Sequence, residues 1–214
     1  MDNNCLYFIN INSVSNDNYD KFYSLVDEER RNRVDKYLNE NDKKLSLCSG
    51  MLLKYALDKL GIKEYELTYN EYGKPYLVGN RYYFNISHSK DYAMCVVSDD
   101  EIGCDIEYIR DFNMKIPQRY FSNEEYEDIL IDSSRSKDKF YRYWTLKESF
   151  IKNVGLGLSL SLNSFRIILN NNIEIKQSIN DNNYYFEEVN IDNNYKCSIC
   201  KRNNKKIELI EVSL

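Results

Sequence analysis

Two long amphipathic segments, each closed by a glycine and each accompanied by short apolar runs, confine this chain to few architectures. In the first, Leu45, Cys48, Leu52, Tyr55 and Ala56 recur at helical spacing on one face, and Gly61 supplies the stop. The second spans 139–154 and ends at Gly155. A charged helix over 20–38 precedes the first, and a shorter one over 123–131, introduced by Ser122, precedes the second. Strands are expected at 6–11, 66–69, 82–86, 92–98 and 102–109, the last two joined across Asp99-Asp100 as a hairpin. Beyond Gly155, apolar runs at 165–169, 184–189, 195–200 and 207–212 alternate with Asn/Asp or Lys/Asn turns and read as an antiparallel meander. Helices and strands do not alternate strictly, which argues against a doubly wound sheet. The pattern predicts an α+β fold of two similar halves, residues 1–103 and 104–214, each a small antiparallel sheet packed with a long helix.

Composition narrows the function classes. The 214 residues are 43% hydrophobic, enough to build a globular core. A net charge of −5 argues against nucleic acid as the main partner. The start, Met1-Asp2-Asn3-Asn4, lacks a basic leader, and no apolar run approaches the ~20 residues of a membrane helix. A soluble, cytoplasmic protein is the expectation. Cys197 and Cys200 have CxxC spacing, but no second pair accompanies them, and on a strand they point to opposite faces. Buried free thiols are expected there, rather than zinc.

Five segments could carry chemistry. On a strand over Ile102-Gly-Cys-Asp-Ile-Glu-Tyr108, Cys104, Ile106 and Tyr108 share the buried face. Asp105 and Glu107 share the other, about 7 Å apart at two residues' rise. They could converge on a hard cation, or simply be a solvated strand face. On the helix Tyr143-Trp-Thr-Leu-Lys-Glu-Ser-Phe-Ile-Lys152, Lys147 falls within the apolar face, where a lysine either snorkels or serves a site. Glu148 and Lys152 stand at i,i+4 along its edge, a surface pair of roughly 0.3–0.5 kcal/mol unless they belong to a site. Phe84-Asn-Ile-Ser-His-Ser89 holds the only histidine, His88, among hydroxyls that suit a phosphate or an ordinary turn. Glu71-Tyr-Gly-Lys-Pro75 displays Lys74 beside a rigid proline. Arg30, Arg31, Arg33, Lys43 and Lys44 form a basic cluster of the kind that usually faces solvent. Ser122-Asn-Glu-Glu125 matches a capping box, which favours a helix-start role for Glu125 over a metal role.

Taken in order, Glu71 to Pro75, Phe84 to Ser89, Gly103 to Glu107, Phe121 to Tyr126 and Trp144 to Lys152 resemble the 4′-phosphopantetheinyl transferases of the surfactin-synthetase-activating type. The helix W-x-x-K-E-x-x-x-K paired with an upstream G-x-D-x-E strand is the specific part. The resemblance implies an active site between two α+β halves and transfer of the phosphopantetheine arm of coenzyme A to a serine of an acyl or peptidyl carrier protein. It further implies that Asp105, Glu107 and Glu148 surround Mg²⁺ (or Mn²⁺), and that Lys152 contacts the pyrophosphate. Lys74, Ser87 and His88 would hold the nucleotide's phosphates, with Lys44 and nearby arginines at the 3′-phosphate. Glu148 is the expected general base and Lys152 the group that stabilises transferring charge. The N-terminal basic segment departs from the family pattern, with Glu29 and Asn32 where basic residues are expected. The carrier is expected to dock on 110–120, from Arg110 to Tyr120, through Phe112, Met114 and Ile116 interleaved with Arg110, Lys115 and Arg119. Those apolar residues could instead anchor the loop to the core. Two fused halves favour a monomer. The competing class is a coenzyme-A-binding or carrier-docking module without turnover.

Overall fold

Local signals set the helices. The computed structural model describes residues 4–213. After strand β1 (Cys5–Asn10) come α1 (Asn16–Leu25) and α2 (Glu28–Asp35). The single charged helix expected here is two, because Asp27 accepts from Arg30 N at 2.7 Å and starts a new helix. Next is α3 (Glu40–Lys59), whose apolar face packs on the first sheet, with Leu52, Leu53, Ala56 and Leu57 nearly inaccessible. The chain continues through β2 (Leu67–Tyr69), β3 (Pro75–Leu77), β4 (Tyr83–Ser89), β5 (Tyr92–Ser98) and β6 (Ile102–Tyr108). Then come α4 (Lys115–Tyr120), α5 (Asn123–Ile131) and α6 (Ser136–Val154). Ser122 and Glu125 cap α5 reciprocally as the sequence predicts, and Gly155 ends α6 at φ 79°. Strands β7 (Arg166–Leu169), β8 (Ile173–Lys176), β9 (Tyr185–Glu188), β10 (Tyr195–Lys201) and β11 (Glu208–Glu211) complete it.

Strand pairing departs from the sequence expectation in two places. The hairpin expected across Asp99-Asp100 does not form. Both edges of β5 are taken, by β1 and β4, so β6 crosses over to pair with β10. The expected meander is likewise divided: β7 pairs with β8, β9 with β10, and β11 returns to lie parallel to β1. The result is one sheet of order β11-β1-β5-β4 and another of order β6-β10-β9, an α+β arrangement with one long helix on each. The inner faces meet through Leu6, Met94 and Val96 against Ile102, Cys104 and Ile199. All six cysteines are free, five of them buried.

The sheets join at β4 and β6 without a backbone ladder. Period-two alternation puts Asn85, Ser87 and Ser89 on one face of β4. Their side chains accept from Cys104 N, Ile106 N and Tyr108 N at 2.9, 3.3 and 3.1 Å. Behind this seam, β6 lies directly on α6. A Cβ at Gly103 would stand 2.1 Å from Ser149 O and 2.3 Å from Asn153 N, so only glycine permits the approach. That contact carries Asp105 and Glu107 to the side of α6 bearing Glu148 and Lys152.

Candidate active site

Asp105 is buried, 4% exposed, although the sequence offered a solvated face as its alternative. Its Oδ1 accepts from Lys152 Nζ at 2.6 Å and Ser87 Oγ at 2.9 Å. Its Oδ2 is buried with no hydrogen-bond partner among the described residues. A buried carboxylate oxygen left unpaired is costly, and a cation would satisfy it. Desolvation pushes Asp105 above the ordinary carboxylate range, with Lys152 opposing. Burial and then the charge of Asp105 push Glu107 up to about 7. The same two causes raise Glu148. Burial alone would lower Lys152, but Asp105, Cys104 and Glu148 together outweigh it and hold the ammonium above its usual value.

The surface ion pair considered for Glu148 and Lys152 does not form, because Lys152 turns to Asp105 and Ser87. Among the described residues the Glu148 side chain has no hydrogen-bond or ion-pair partner, and it feels Asp105 and Lys152 only through space. It lines a cleft of about 520 Å³ with Lys152, Tyr72, Lys74, Tyr120 and Leu160. Hard oxygens, one of them an orphan, fit a divalent cation. Among the described residues, however, no three acidic, His or Cys side chains gather closely enough to hold an ion by themselves.

The expected phosphate ligands are arranged differently from a free cationic row. Lys74, 7% exposed, gives its ammonium to the Glu101 carboxylate and to Asn153 O at 2.8 Å. It is a strut between the halves, with only part of its stem toward the cleft. Ser87 is engaged by Asp105, Lys152 and Ile106 N. His88 reaches solvent near the end of β4 while its ring is backed by protein, so that partial desolvation, then Lys152 and Arg30, push its imidazole below its ordinary value. Lys44 directs its ammonium at Val14 O, 3.5 Å away. Arg33 pairs with Glu29, Lys43 with Glu40, and Arg31 donates to Val26 O. Arg30 alone of this cluster registers at His88, and it lies over Gly50, where a Cβ would stand 2.9 Å from its Cγ. Of the expected set of Lys44 and nearby arginines, Arg30 is the member that Gly50 leaves room for.

Lys147 and Glu125 resolve together. Lys147 neither snorkels nor reaches the cleft; fully buried, it pairs with Glu125 at 2.9 Å.

Family comparison rests on the same segments. Residues 13–100 match the model for the N-terminal region of 4′-phosphopantetheinyl transferase, and residues 101–200 match the 4′-phosphopantetheinyl transferase superfamily. The chain is 32% identical over 197 residues to the 4′-phosphopantetheinyl transferase Sfp of Bacillus subtilis (strain 168), covering 87% of each protein.

The chain belongs to the 4′-phosphopantetheinyl transferase family.

A second relative, the transferase gsp of Aneurinibacillus migulanus, is 34% identical over 83% of this chain and 76% of its own. The L-aminoadipate-semialdehyde dehydrogenase-phosphopantetheinyl transferase of Xenopus laevis is 28% identical over 81% of this chain and 67% of its own. Membership gives this transferase a reaction class, phosphoryl-type transfer. No described helix of this transferase is long and apolar enough to cross a membrane.

Proposed function

We propose that this transferase moves the phosphopantetheine arm of coenzyme A onto a serine hydroxyl of an acyl or peptidyl carrier protein. The observation that carries the reading is the unpaired Asp105 Oδ2 beside Lys152 and the unpartnered Glu148. Asp105, Glu107 and Glu148 would hold Mg²⁺, or Mn²⁺ in its place, together with oxygens of the substrate pyrophosphate. When bound, the ion supplies charge neutralisation at that pyrophosphate. Glu148 takes the proton of the carrier serine as its oxygen attacks the β-phosphorus. The bond to the bridging oxygen breaks, and 3′,5′-ADP leaves with the electron pair. Lys152, kept protonated by Asp105, stabilises charge on the transferring group. His88, Arg30 and Lys44 would supply hydrogen-bonding or positive groups for the nucleotide's phosphates, Arg30 and Lys44 each holding only a 3.5 Å carbonyl contact, whereas the Lys74 ammonium is taken by Glu101 and Asn153 O.

Carrier docking on 110–120 narrows to its cationic members. Phe112 stacks on Phe140 at 4.1 Å, and Met114 and Ile116 pack on the same cluster, so the apolar residues anchor the segment. Lys115, Arg119 and Tyr120 stay exposed, and Tyr120 reaches the cleft. A positive local field would steer an acidic carrier toward a protein of net charge −5. The test is incubation with coenzyme A, Mg²⁺ and an apo carrier protein. Transfer adds about 340 Da to the carrier by mass spectrometry, the mass of the arm whose phosphoryl chemistry is argued above. An unchanged carrier mass with bound coenzyme A would leave a binding module.

A further inference from the structure

Five residues before Lys152, α6 carries a second cation, fully buried, that the chemistry above does not use. Lys147 is fully buried, and its ammonium has three partners: the Glu125 carboxylate at 2.9 Å and the carbonyls of Leu162 and Phe165, each at 2.9 Å. It also lies 4.3 Å from the centre of the Phe165 ring. Glu125 is 1% exposed and equally occupied. Its Oε2 accepts from Ser122 N at 2.8 Å and its Oε1 from Ile167 N at 2.7 Å. One ion pair therefore ties four pieces of backbone together: the start of α5, the middle of α6, the segment after Gly155, and β7.

The segment after Gly155 is a wall of the cleft. Gly157, Leu158, Leu160 and Leu162 line it opposite Lys74 and Tyr120. Leu160 and Leu162 pack its inner side on the Phe150 and Phe165 cluster, but among the described residues Lys147 makes the one hydrogen bond that reaches 156–164 from another element. Two short 3₁₀ turns span Gly157–Ser159 and Leu162–Ser164, and Leu158 lies fully exposed. The wall's near end is set by the α6 cap at Gly155, whose carbonyl accepts from Asn70 Nδ2 at 2.8 Å. Its far end, at the Leu162 carbonyl, is held by Lys147. Lys147 also precedes Glu148, so the same anchor fixes the rotation of α6 that presents Glu148 to the cleft.

We propose that Lys147, with Glu125, is a positioning residue for the transfer reaction: it pins the 156–164 wall of the cleft and the helix turn that presents Glu148. An ammonium buried here for packing alone would be poorly chosen, since a methionine fills similar volume without the cost of desolvation. What an ammonium does and an apolar side chain cannot is bind two carbonyls and a carboxylate from different elements at one point.

The test separates this role from plain stability. Lys147→Met alone strands the Glu125 charge and is expected to unfold readily, so it is compared with the double variant Lys147→Met with Glu125→Gln. The double variant removes both charges, and Gln can still cap α5 through its oxygen. Its melting temperature is expected to return most of the way to wild type. Its wall is expected to stay loose, with faster amide hydrogen exchange over 157–165 and unchanged exchange in β1 and β5. In the transfer assay at full folding, kcat is expected to fall roughly 10–100-fold, as a displacement of about 1 Å at a reacting site produces. If melting, exchange and turnover all recover together, the pair is structural and the proposal fails. The kinetic arm rests on the proposed transfer, whereas the exchange arm does not. Normal exchange over 157–165 in the folded double variant would overturn the wall assignment even if no transfer activity were ever found.

Discussion

Helix α6 holds two lysine–carboxylate pairs five residues apart, and they are opposites. Lys147 and Glu125 are 0% and 1% exposed in their side chains, with every charged oxygen and the ammonium engaged. Lys152 and Asp105 are 28% and 6% exposed, and one Asp105 oxygen is left without a partner. The first pair is finished by the protein's own backbone. The second is unfinished, and it opens on a cleft next to a carboxylate with no partner at all. Buried charge by itself does not mark a site; buried charge with its coordination incomplete does.

Breaking the pairs one at a time should sharpen that contrast. Lys147→Met is expected to cost about 3–5 kcal/mol, the penalty for leaving a buried carboxylate unpaired. Lys152→Met leaves Asp105 free to protonate, because burial already holds its carboxyl above the ordinary range. Its cost in urea denaturation near neutral pH should be distinctly smaller, with transfer lost. Equal destabilisation by the two substitutions would erase the distinction.

The contact that presents the unfinished pair should be next in size. Gly103→Ala drives a Cβ into the backbone of Ser149 and Asn153. It is expected to cost about 1–3 kcal/mol or more through overpacking, because helix backbone cannot rotate out of the way as a side chain can. A neutral Gly103→Ala in denaturant melts would mean that β6 can lift off α6 freely.

The smallest effect expected is one of pH. In the metal-free protein the pKa of Glu107 is raised to about 7, and Asp105 and Glu148 are raised as well. Between the unfolded and folded pKa values the native state binds more protons than the unfolded chain. Stability contributed at low pH is therefore lost as pH rises through roughly 5 to 7. In EDTA, melting temperature should decline over that window, and Mg²⁺ or Mn²⁺ should add progressively more stability across it. A cation response independent of pH would detach these carboxylates from the metal.

What the sequence disclosed and what it hid follow a physical division. The capping box at Ser122 and Glu125 and the stop at Gly155 were legible because a helix end is specified by residues a few positions apart. Asp105 and Lys152, which the structure joins, were singled out for a related reason, their spacing from Glu107 on one strand and from Glu148 on one helix. Strand partners were not, since alternation reveals which face is buried and says nothing of which edge is free. That is how β5 and β6 were read as a hairpin and β11 as the end of a meander. The break between α1 and α2 hid in a charged stretch with no apolar period to interrupt. The Lys74–Glu101 strut depends on contact between distant segments, which no local pattern records.

Glu148→Gln tests the central claim most directly, because Glu148 has no partner to lose. Transfer turnover and thermal stability would be measured on the same purified sample. Turnover is expected to fall at least about 100-fold, the lower range for removing a general acid–base group, while the melting temperature stays at or above wild type. Wild-type turnover in Glu148→Gln would contradict the account and return this edge of α6 to an ordinary helix surface.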